Sequence, residues 1–159
     1  MTYDELLIEA DKLGIMVREA NLRTRDGRCS GNRIAIHKNL SNCEKACVLA
    51  EELGHYYLTV GDITNQKIIN NRKQELKARR HAYNFLIEPE DIVNAMKKGC
   101  NNRYEIAEYL NISEAFFNEL IDDYRKQYGL GIYVENYYLQ LEPNLGLIKD
   151  LGGLFDYKK

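Results

Sequence analysis

The sequence predicts an α+β fold: a small antiparallel sheet packed on one long helix, then a mainly helical C-terminal half holding a helix-turn-helix-like pair. Three observations predict it. Short extended runs separated by Gly-containing turn dipeptides fill much of the first forty residues. Two Ser/Thr-x-x-Glu capping boxes mark helix starts, at Thr2 and at Ser41. From about residue 72 to 128 the apolar spacing is that of helices. A chain of 159 residues with 45% hydrophobic content and two prolines is long enough, and apolar enough, to bury a core.

Taken in order, Thr2 and Glu5 cap a first helix that should run to about residue 12 or 13, with Gly14 ending it. "IMVREANL" reads as a strand. Asp26-Gly27 and Gly31-Asn32 are turn signals, the second leading into the strand "RIAIHK". Ser41 and Glu44 then open a long helix. A polar loop is expected at about 61–71, followed by the helix "RKQELKARRHAYNFLI", ended by Pro89. "NRYEIAEYLNISEAFFNELIDDY" holds two helical periods broken at Asn111-Ile112-Ser113, with Ser113 placed to cap the second. The last thirty residues offer a short hairpin and a weakly specified tail. The expected divisions are 1–89, 90–128 and 129–159, all within one compact unit.

Composition excludes several classes. A net charge of −2 and a pI near 6.0 do not suit a general nucleic-acid binder. "MTYDELLIEADKLG" carries acidic residues and no long apolar run, unlike a signal peptide. No stretch approaches the roughly 18 continuous apolar residues of a membrane span. Cys29, Cys43, Cys47 and Cys100 are sparse and read as reduced thiols, so a cytoplasmic location is expected.

The chemistry concentrates in "CVLAEELGHYYLTV". This is the zinc-peptidase pattern H-E-x-x-H with Glu51 at its first position. On a helix, Glu51 and His55 lie one turn apart on one face and can reach one point, while Glu52 stands on the flank where a base would act on water. A carboxylate is an acceptable zinc ligand. On the next helix Glu75, Ala78, Ala82 and Leu86 form a stripe headed by a carboxylate, for which either a metal ion or an arginine would be a partner. His81 lies about 120° from Glu75 around that helix and does not share its point. Two adjacent glutamates and a lone histidine also describe an ordinary solvated helix face, and Cys43 and Cys47 read as core thiols.

"EKACVLAEELGHYYLTVGDI" followed by "NRKQELKARRHAYNFLI" resembles the ImmA/IrrE family of metallo-endopeptidases. It is similar to a branch from prophages and other mobile elements with E-E-L-G-H in place of H-E-L-G-H. The resemblance implies a zincin-like metallopeptidase core over 1–89, Zn²⁺ as cofactor, and cleavage of a helix-turn-helix repressor protein. It implies Glu52 as catalytic base and His55 as a metal ligand. Glu51 takes the first-ligand position and Glu75 that of the acidic third ligand, with Lys77 where many members have Glu. A rival reading is a non-catalytic regulator that keeps the fold and binds its partner without cutting it.

The segment at 103–124 has the shape of a DNA-reading unit but the wrong charge. Its second helix would present Glu114, Asn118, Glu119, Asp122 and Asp123, with Arg125 and Lys126 only at its end, and phosphates would be repelled. It is expected to be a structural or protein-docking pair with no direct nucleic-acid contact. The partner that the family resemblance implies is a protein substrate.

Overall fold

A computed structural model describes residues 1–61 and 71–150, and the chain divides into two compact units. One is Met1–Ile87 with Asn111–Ser113; the other is Glu88–Leu110 with Glu114–Lys159. The fold is α+β, as the sequence predicts.

In the first unit, α1 (Tyr3–Lys12) begins at the expected box: Glu5 N–H donates to Thr2 Oγ1 and Thr2 N–H to the Glu5 carboxylate. Gly14 follows at φ 73°, a left-handed position that glycine occupies without a Cβ penalty. β1 (Met16–Ala20), β2 (Gly27–Ser30) and β3 (Arg33–His37) form one sheet in the order β1-β3-β2. β2 and β3 are the expected antiparallel hairpin, turned at Gly31 with φ 58°. β1, however, pairs parallel with β3, Met16 opposite Arg33 through Ala20 opposite His37. The sheet is therefore mixed where a wholly antiparallel one was expected.

α2 (Asn42–Gly61) starts behind Ser41, whose N–H donates to the Glu44 carboxylate while Glu44 N–H donates to Ser41 Oγ. Ala46, Leu49, Ala50 and Leu53 make its fully or almost fully buried stripe. Each buried leucine is worth about 1.5–3 kcal/mol. By the 100° helical step, Glu51, Glu52 and His55 stand on the opposite side. Lys45 is buried but satisfied: its ammonium donates to Glu19 Oε2 at 2.8 Å, and Tyr3 Oη donates to Glu19 Oε1 at 3.2 Å. α3 (Asn71–Leu86) buries Ala78, Ala82 and Leu86. The polar loop expected at about 61–71 falls almost wholly outside the described residues.

In the second unit, Pro89 opens α4 (Pro89–Lys97), where its missing N–H costs nothing. α5 (Arg103–Tyr109) and α6 (Glu114–Tyr128) pack on each other, burying Ile106, Phe117, Leu120 and Ile121. Arg103 Nη1 donates to Asn118 Oδ1 at 2.7 Å. Asp123 is 4% exposed and accepts from Gln127, so it is not part of the acidic surface; Glu114, Glu119 and Asp122 are. The expected hairpin is β4 (Gly131–Val134) with β5 (Tyr137–Gln140), and β6 (Gly146–Lys149) adds a third antiparallel strand. Residues 151–159 of the expected tail lie outside the described residues. No helix among the described residues is long and apolar enough to cross a membrane.

Candidate active site

The site begins with a glycine. At Gly54, α2 comes so close to α3 that an added Cβ would lie 2.5 Å from the Ala78 carbonyl oxygen. Only a residue without a side chain permits that approach. It sets two one-turn pairs against each other: Glu51 and His55 on α2, Glu75 and Arg79 on α3. His55 Nε2 stands 3.5 Å from Glu75 Oε2. Arg79 Nε donates to Glu51 Oε1 at 3.0 Å and lies 3.7 Å from Glu75 Oε1.

Glu52 is turned away from this ladder towards β2. Gly27 makes room for it, since a Cβ there would meet Glu52 Oε1 at 2.8 Å and Val48 Cγ1 at 2.5 Å. Burial, and then the negative charges of Glu51 and Glu75, push the Glu52 carboxyl up to about 7. Arg25 and a hydrogen bond from the backbone of Cys29 pull the other way. Glu52, His55 and Glu75 share a cleft of about 360 Å³ with Arg25, Arg28 and Cys29.

Of the residues singled out in the sequence, the structure thus brings His55 and Glu75 together and sets Glu52 beside them in one cleft. Glu51 is directed to Arg79. Glu75 is not aimed at the core; its side chain is 49% exposed while the stripe behind it is buried. His81 lies apart, stacked on Tyr57 with ring centroids 4.7 Å apart. Cys47 is buried and its thiol is pushed up to about 12 by that burial; burial also raises Cys43. Neither supplies a thiolate.

An imidazole and two carboxylates are chemically suited to zinc, and His55 with Glu75 converge as two of its donors. The third is engaged: with Glu51 on Arg79, the described residues contain no group of three or more His, Cys, Asp or Glu arranged to hold a metal. Arg25, Arg28 and Arg79 are site residues that the sequence did not single out, and Cys29, read there only as a reduced thiol, also lines the cleft. Arg79 carried a signal, since it repeats on α3 the one-turn spacing of Glu51 and His55 on α2.

The family model of the IrrE N-terminal-like domain, a peptidase family, matches residues 10–121. The chain belongs to this family. The matched stretch contains Glu51, Glu52, His55, Glu75 and Arg79, so the cleft of this IrrE-family chain lies inside the shared domain. No curated protein and no solved structure matches the chain.

Proposed function

We propose that this IrrE-family chain is a metal-dependent endopeptidase that cleaves a specific intracellular protein, a helix-turn-helix repressor, with Glu52 as its acid–base group. The observation that carries the reading is the shared cleft, which puts a half-buried carboxyl next to a histidine–carboxylate pair. A group titrating near neutral pH suits proton transfer in both directions. Glu52 takes the proton from the water that attacks the peptide carbonyl and returns it to the departing amide nitrogen. His55 and Glu75 would hold the metal, with Glu51 as third donor once its carboxylate leaves Arg79. When bound, zinc supplies Lewis-acid polarisation of the carbonyl and of the attacking water.

One observation favours a second reading. Arg79 bridges Glu51 and Glu75 and already offsets part of the carboxylate charge that a metal would balance, as in a non-catalytic regulator that binds its partner intact. Co-expression with a candidate helix-turn-helix repressor separates the two. The proposal expects fragments with wild type and a loss of about 10²- to 10⁴-fold in Glu52→Gln, the usual scale for a positioned acid–base group. An intact repressor that co-purifies with wild type supports the regulator.

A further inference from the structure

Residues 16–38 hold six cationic side chains against two acidic ones, a net +4 within a chain of net charge −2. The five arginines among them, Arg18, Arg23, Arg25, Arg28 and Arg33, are all exposed. Among the described residues none of the five enters an ion pair, although the chain is rich in acidic groups. They border three hollows of the first unit. Arg25 and Arg28 line the cleft of Glu52. Both also line a second hollow of about 470 Å³ together with Arg23. Arg28 further joins Arg18 and Arg33 around a third, of about 430 Å³, on the sheet. Arg28 belongs to β2, which stands at the sheet's edge with no second strand beside it among the described residues.

Unpaired guanidiniums cost little in water, but set around one groove they create a positive field that selects anions. Their planar fork matches carboxylates in two-point contacts. Phosphates would satisfy the same fork. A polypeptide, however, also finds an edge strand whose backbone groups it can pair with, which a nucleic-acid backbone cannot match as a ladder.

We propose that β2 and its arginines form the substrate-binding wall of the cleft, and that they take an extended, acidic peptide segment. Arg25 and Arg28 face the carboxylates nearest the site of cleavage. This deepens the endopeptidase reading and rests on it for the word substrate.

The test is fluorescence anisotropy on the full chain with two fluorescein-labelled decapeptides, one alternating Thr and Glu, the other Thr and Gln. The acidic peptide should bind at least tenfold tighter, and the preference should shrink as salt rises, because exposed charges are screened. Arg25→Gln/Arg28→Gln, with an unchanged circular dichroism spectrum, should weaken acidic-peptide binding roughly tenfold, the scale of two exposed charge-assisted pairs. Equal affinity for the two peptides overturns the proposal, as does a preference untouched in the double variant. Tighter binding of a labelled 20-nucleotide DNA strand than of the acidic peptide would identify the wall as a nucleic-acid surface instead. Failure of the peptidase reading looks different: the acidic preference survives while the repressor is never cut.

Discussion

Replacing Gly54 with alanine probes the approach of α2 to α3 on which the whole site depends. The added Cβ would sit 2.5 Å from the Ala78 carbonyl oxygen and 3.1 Å from its carbonyl carbon and Cα, against 3.4–4 Å for ordinary contact. The obstacle is backbone, so no rotamer change relieves it, and one helix has to move by about an ångström. Overpacking of this kind costs about 1–3 kcal/mol. Alanine returns up to about 1 kcal/mol through helix propensity. The clash should win, leaving Gly54→Ala about 1–2 kcal/mol less stable. For a chain of this length that lowers Tm by roughly 2–8 °C. Thermal melts followed by circular dichroism measure it directly. A Tm equal to or above that of wild type would refute the reasoning, because it would mean that propensity outweighs contact and that the helices are not held at this spacing.

Further outcomes follow from the same structure. Glu19 is held below its ordinary value of 4.5, chiefly by the hydrogen bond from Lys45. A depressed carboxyl contributes stability above its unfolded pKa and loses it as pH falls through the folded one. Glu19→Gln should therefore be less stable than wild type at neutral pH, with the gap closing in acid; urea melts across pH 3–7 check this, and a constant gap would sink it. The buried Cys47 thiol, pushed up to about 12, should resist iodoacetamide at pH 8 in the native protein and react once the chain is unfolded, as peptide mass mapping will show. The acidic exposed face of α6 should give no sequence-specific duplex binding at moderate salt, and a tight, steeply salt-dependent band shift would contradict that.

Much of the fold was legible because its signals are local. Thr2 with Glu5 and Ser41 with Glu44 place two helix starts, and both boxes form as written. Gly31 marks the β2–β3 turn. The parallel pairing of β1 with β3 was not legible, since turn residues report joints between neighbours in sequence and say nothing of a strand that skips one. Asp123 looked like surface charge, yet Gln127 one turn later satisfies it in a buried place. In the site, the sequence located Glu51, Glu52 and His55 on one side of α2, and the opposing Glu75. The Glu51–Arg79 pair was invisible because it depends on how closely two helices pass, and that is set at Gly54.

Whether the paired helices make a working metal centre is decided by the metal content of protein purified without chelator, measured by elemental analysis in wild type and in His55→Ala. If the cleft is the proposed peptidase centre, wild type holds one zinc per chain and His55→Ala loses it, because the imidazole facing Glu75 is one of the donors. Wild type without stoichiometric metal, or His55→Ala with its metal retained, would contradict that reading and leave Arg79 as the cation this site was built around.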